Sequence, residues 1–164
     1  MRLLLPDEAA TERLGEALGR LAAPGDVIAL HGELGSGKTT LVRGLARGLG
    51  VPPDEPVVSP TFTLINEYVG GRLPLFHLDL YRVSGGEQEG LGLDEYLYGD
   101  GVAAVEWAER REAPPLHRLD VTLSLWPPET GEGRQAALAP HGERARALAE
   151  ELSGALPQFA AAET

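Results

Sequence analysis

HGELGSGKTT, residues 31–40, is the stretch from which the rest of the chain is read. Gly32 to Thr39 fits G-x-x-x-x-G-K-[ST] at every position, with Glu33, Leu34, Gly35 and Ser36 filling the free places before Gly37, Lys38 and Thr39. Glycines allow backbone conformations closed to side chains, so that several N–H groups aim at one anion. The helix that follows points its positive end at the same place. Lys38 brings a slim ammonium for β- and γ-phosphates, and the Thr39 hydroxyl is the expected magnesium ligand. Lys38 is also the only lysine among 14 basic residues. A composition bias turns surface lysines into arginine freely, but a planar fork does not replace a slender point charge in such a pocket. At average composition the pattern arises by chance in roughly 0.5% of chains this long.

The context supports the motif. VIAL (27–30) before it is a short apolar run of the buried-strand type, and TTLVRGLARGLG after it is a helix with Leu41, Leu45 and Leu49 on one face. Gly48 and Gly50 bracket the end of that helix. Upstream, residues 7–22 predict a helix with Asp7 as N-cap and Leu14, Leu18 and Leu21 at helical spacing. Downstream, VPPDEPVVSP (51–60) predicts an irregular surface loop. TFTLINEYV and RLPLFHLDLYRV flank Gly70-Gly71 as a β-hairpin. The acidic, glycine-rich residues 84–101 predict one or two short helices, and VAAVEW (102–107) another buried strand. LDVTLSLW (119–126) and RQAALAP (134–140) predict a strand pair, and HGERARALAEELSGAL (141–156) an amphipathic helix before a frayed end. The fold class is therefore α/β, a P-loop NTPase-like three-layer sandwich. Its sheet is mixed, because the hairpin and the late strand pair add antiparallel members.

At 164 residues the chain fits one domain, 1–164. It has no cysteine, which excludes disulfides and thiolate metal sites and fits a reducing, cytoplasmic setting. The N-terminus turns charged by residue 7, unlike a signal peptide, and no stretch approaches the roughly 20 apolar residues of a membrane span. A net charge of −11 argues against strong direct binding to tRNA or any other nucleic acid. It does not forbid a polyphosphate. Charges beyond about 8 Å are largely screened, whereas each hydrogen bond to a charged group contributes roughly 1.5–3 kcal/mol.

A phosphate loop of this kind needs an acid at the end of a neighbouring strand to hold magnesium or its water shell. Glu106 closes the apolar run VAAVE, and Asp79 lies in LPLFHLDLYR. Strand alternation puts His77, Asp79 and Tyr81 on one face and Phe76, Leu78 and Leu80 on the other. Both acids are candidates, and the spacing does not divide the magnesium and water roles between them. His77 alone fits a structural histidine as well as a functional one.

The carriers GELGSGKTTLVRGLARGLG, SPTFTLINEY, FHLDLYR, GLDEYL and VEW, in this order and spacing, resemble the TsaE (YjeE) P-loop ATPases of bacterial tRNA modification. The resemblance covers residues of about 7–110. It implies a P-loop sheet with antiparallel strands, ATP and Mg2+ as ligands, and slow ATP hydrolysis. It further implies service to threonylcarbamoyl modification of the adenosine beside the anticodon, with the TsaB–TsaD complex as partner. By match of motif, Lys38, Thr39 and Thr40 take phosphate and magnesium roles, and Thr61 in SPTF resembles a switch threonine near the γ-phosphate. Asp79, Glu106 and Trp107 fall on functional positions of the family. One departure is Ala108, where the family often has proline. Trp107 fits base stacking, a partner contact or core packing, and Arg82 fits either transition-state charge or a salt bridge. The guanine-reading motif N-K-x-D needs a second lysine, so adenine is expected. Two rival readings share the loop. One is a small-metabolite kinase of the shikimate kinase kind, disfavoured because 84–101 holds no basic residue. The other is an ATP-occupied assembly switch whose hydrolysis is incidental.

Overall fold

The computed structural model describes residues 1–83, 85–111 and 114–162. Strand β1 (Arg2–Leu5) leads into helix α1 (Glu8–Leu21), whose N-cap is Asp7: its carboxylate accepts from the Ala10 amide at 2.7 Å. Strand β2 (Val27–His31) feeds the glycine loop, and helix α2 (Lys38–Leu49) leaves it. Gly50, at φ 83°, ends α2 in the left-handed conformation that glycine adopts without a Cβ penalty. Strands β3 (Ile65–Tyr68) and β4 (Leu75–Asp79) form the hairpin. Helices α3 (Gly85–Gln88) and α4 (Leu93–Leu97) come next, then β5 (Val102–Glu106). Strands β6 (Arg118–Trp126) and β7 (Gly133–His141) pair before helix α5 (Glu143–Ala155).

The strands make one mixed sheet in the order β1-β7-β6-β2-β5-β4-β3. Its centre is parallel, β6-β2-β5-β4, and its flanks are antiparallel. The carboxyl ends of β2, β4 and β5 therefore point the same way, which is where an open α/β sheet gathers a ligand site. The helical layers are unequal. Ile28 and Leu30 of β2 pack with α1, α2 and α5, while Val27 and Ala29 meet Leu93 and Leu97 of the short α4. Among the described residues no helix is long and apolar enough to cross a membrane.

Helices α1 and α2 touch through glycines. A Cβ on Gly15, Gly19, Gly44 or Gly48 would lie under 3.0 Å from backbone of the facing helix. Glycine inside a helix costs roughly 0.5–1 kcal/mol against alanine, and here that cost is offset by direct backbone contact.

Four expectations need correction. Strand β1 has no counterpart in the sequence reading; four residues are too few to show a period, and the strand exists because β7 pairs with it in register from Arg2↔Ala137. The hairpin's first strand is shorter than TFTLINEYV. Leu64 takes a left-handed φ of 69° and its amide bonds back to Pro60 O at 2.7 Å, so residues 61–63 form a turn. His141 belongs to β7, and Gly142 at φ 92° delays the last helix to Glu143. Of the end expected to fray after residue 156, Pro157–Phe159 form a 3-10 turn with Phe159 buried, and the Ala161 amide donates to Arg2 O at 3.1 Å; Glu163 and Thr164 lie outside the described residues.

Candidate active site

The loop between β2 and α2 has the backbone its glycines allow: φ is 143° at Gly32, 79° at Gly35 and 106° at Gly37, all in the region closed to most side chains. Leu34 stands out from the tip, 70% exposed, while Ser36 is buried. The Lys38 ammonium is folded onto its own loop. It donates to Gly32 O and, at 3.0 Å, to Glu33 O, and lies 4.3 Å above the centre of the Trp107 ring. Burial lowers its pKa below the ordinary lysine value, against an opposing pull from Glu106, Glu109, Asp79 and Glu33.

The two acids share one face because β4 and β5 run parallel with Asp79 in register with Glu106. Their bonds differ. Glu106, 3% exposed, accepts from the Thr39 hydroxyl at 3.0 Å and from His77 Nε2. Asp79, also 3% exposed, accepts from Ser59 Oγ at 2.7 Å, Thr61 Oγ1 at 3.1 Å and the Tyr81 amide at 2.9 Å. Glu106 thus answers to the loop helix, and Asp79 to the segment that carries Thr61.

These groups surround a cavity of about 700 Å³. Its wall includes Leu34, Gly35, Gly37, Lys38, Thr39 and Thr40; Gly32, Glu33 and Ser36 are not among its lining residues. Thr61, Asp79, Arg82, Glu106 and Trp107 complete the set foreseen from sequence. Trp107 follows β5 at φ 55°, a strained left-handed conformation for a bulky residue, and its ring lies 4.8 Å from that of Tyr81. That conformation begins the turn of Ala108–Arg110, so the turn forms with alanine at position 108. Trp107 packs, partly buried, against the apolar cluster of Leu78, Leu80 and Val105 and also lines the cavity beneath the lysine. Arg82 lines the cavity, and its guanidinium lies 4.7 Å above the exposed Phe62 ring, a cation–π contact.

Sequence reasoning missed Arg134. From the start of β7 its guanidinium donates to Ser36 O at 2.9 Å and Gly35 O at 3.0 Å, and to Gly131 O and Gly133 O of its own turn. In a trans peptide the N–H points away from the C=O, so holding the Ser36 carbonyl turns the Gly37 amide to the opposite side, while the Ser36 amide bonds Glu33 O at 3.1 Å. Nothing local marks Arg134 for this; its two partners in the glycine loop are backbone atoms nearly a hundred residues away. Ser59 was quoted within SPTF but not singled out. At the loop's other root, His31 bonds Glu109 at 3.1 Å and Asp120 at 3.0 Å. Burial pushes the Asp120 carboxyl up, but hydrogen bonds from His31 and Arg118 outweigh it and hold the group below its ordinary 3.8.

Fold and site together define an α/β protein of the P-loop NTPase type. The sequence model of one family, described as "Threonylcarbamoyl adenosine biosynthesis protein TsaE", matches residues 5–134. The chain belongs to the TsaE family. It is 46% identical over 144 residues to "tRNA threonylcarbamoyladenosine biosynthesis protein TsaE" of Nostoc sp. (strain PCC 7120), covering 85% of each chain. Against the protein of the same name from Bacillus subtilis (strain 168) the identity is 44% over 153 residues, 93% of this chain and 92% of that one. A crystal structure of Bacillus subtilis YdiB superposes with a TM-score of 0.81 at 37% identity, covering 94% of this chain and 95% of the other.

Proposed function

We propose that the protein binds ATP with Mg2+ in this cavity, hydrolyses it slowly, and serves threonylcarbamoyl modification of tRNA in the cytoplasm by acting on the TsaB–TsaD complex. The observation that carries the reading is the Thr39–Glu106 hydrogen bond at 3.0 Å, made beside the only lysine at the mouth of a glycine loop. A threonine that gives its proton to a buried carboxylate keeps its lone pairs for a cation. The oxygen donors Thr39, Glu106 and Asp79 suit magnesium, which prefers hard ligands and keeps waters and substrate phosphates in its shell. Among the described residues no three His, Cys, Asp or Glu side chains form a metal cage, which agrees with a cation completed by phosphate and water. Bound there, magnesium would neutralise phosphate charge.

The chain's own residues do the rest. Loop amides and the α2 N-terminus receive phosphate oxygens. Lys38, already beside the cradle, exchanges carbonyl partners for phosphate ones. Asp79 fixes Thr61 through its hydroxyl, which places that side chain at the cavity wall to orient water. In-line attack on a γ-phosphate asks mainly for such positioning and charge stabilisation. The negative surface leaves tRNA to the partner complex.

Calorimetry of ATP with the wild type and Lys38→Ala tests the reading, paired with phosphate release in the presence and absence of TsaB–TsaD. Wild type binds Mg-ATP and turns over faster with the partner. Lys38→Ala folds, since a buried ammonium is not a core-forming group, and loses ATP affinity by at least about 100-fold, near 2.7 kcal/mol. Equal affinity in the variant would refute the proposal.

A further inference from the structure

His77 is fully buried, with 0% exposure, on the sheet face where Leu75 of β4 and Val102 and Ala104 of β5 join the main apolar core. Its Nε2 meets Glu106, and its Nδ1 has no hydrogen-bond partner among the described residues. A buried histidine kept for structure ordinarily has both nitrogens hydrogen-bonded, and even the partly exposed His31 uses both, between Glu109 and Asp120. Leaving one ring nitrogen unsatisfied in the interior costs free energy, and a leucine would fill that face without the cost. The ring's one polar bond goes to the one carboxylate that also takes Thr39.

We infer that His77 is a positioning residue for the cation site: its Nε2–H pins one oxygen of Glu106 so that the other stays on Thr39. The register explains how it does so. His77 pairs with Ala104 and Asp79 with Glu106, which makes His77 the diagonal neighbour of Glu106 on the same face. A carboxylate held by a donor on each oxygen cannot rotate away from the loop. The inference rests on the reading of the cavity as a Mg-ATP site.

The test is a titration of Mg2+ into protein with a fluorescent ATP analogue, reading the metal concentration at which nucleotide binding tightens. In wild type the metal tightens binding; if it does not, or if no nucleotide binds at all, the proposed function fails and this inference with it. In His77→Leu the metal midpoint rises about 10-fold or more, the scale expected when a partner of a metal-holding carboxylate is removed. Affinity without metal stays within about 2-fold, because loop and lysine are untouched. His77→Gln, whose amide reaches where Nε2 stands, restores the wild-type midpoint. An unmoved midpoint in His77→Leu beside a normal wild-type response overturns the inference and leaves the proposed function intact. Should His77→Leu fail to fold, His77→Gln against the shorter His77→Asn decides: equal midpoints refute, a shift confined to Asn supports.

Discussion

The glycine loop is gripped from two flanks of the sheet, and the grips are of different kinds. On the β7 flank, Arg134 touches only backbone: the carbonyls of Gly35 and Ser36 and those of its own turn. On the β5 flank every contact is to a side chain: Glu106 takes the Thr39 hydroxyl and Trp107 lies beneath the Lys38 ammonium. One flank sets the shape of the cradle, and the other arms the groups that act in it. Damage to the first should appear as lost affinity, and damage to the second as lost turnover.

The sharpest way to break that division is Glu106→Gln. The amide still accepts from Thr39 but carries no charge, so phosphate release at saturating ATP should fall at least about 100-fold, near 2.7 kcal/mol, with ATP affinity within about 3-fold. A fall in affinity as large as the fall in rate would erase the contrast. If tRNA modification still cycles normally with this variant, the assembly-switch reading gains and hydrolysis is incidental.

Arg134→Ala should behave in the opposite way. Two carbonyls lose a charged donor worth roughly 1.5–3 kcal/mol before relaxation, so ATP affinity weakens about 10- to 30-fold while the rate at saturation changes less than about 3-fold. Arg134→Lys should not rescue, since one ammonium cannot fork to four carbonyls. Equilibrium binding beside single-turnover kinetics separates the two parameters.

Asp79→Ala tests the wall that belongs to neither flank. Ser59 and Thr61 lose their common acceptor, and phosphate release should drop about 10-fold with little change in affinity. An unaltered rate would remove Thr61 from the chemistry.

The smallest effect expected is one of stability. Asp120 is held below 3.8 by its partners, so its contribution is complete above that pH and disappears as pH falls through the lowered value. Asp120→Asn should therefore lose about 1 kcal/mol at pH 7, and the gap to wild type should close toward about pH 3 in urea melts. A gap that persists in acid would show that packing, not charge, ties His31 and Arg118 to this residue.

How much of this could be read in the sequence follows from the range of each interaction. The helix from Asp7, the loop, the leucine face of α2 and the hairpin at Gly70-Gly71 are local events, written in caps, periods and turns. Strand alternation was enough to put Asp79 on the face of His77, but that Glu106 shares it needed the register of β4 with β5. Alternation was not enough to divide the roles of the two acids, because that depends on which acid α2 brings Thr39 against. Strand β1 and Arg134 were invisible for the same reason: both are defined by β7, far along the chain. The Arg82–Phe62 contact lay outside both roles weighed for that guanidinium, transition-state charge and a salt bridge.

A final consequence follows from the single lysine. With one side-chain amine in the whole chain, an acylating reagent can add mass to only one side-chain nitrogen of that type, and that nitrogen lies in the cradle. Mass spectrometry of the peptide that carries Lys38, separated from the Met1 α-amine that also acylates, thus becomes a single-atom gauge of occupancy, in which protection by a triphosphate is read directly, without label or activity assay.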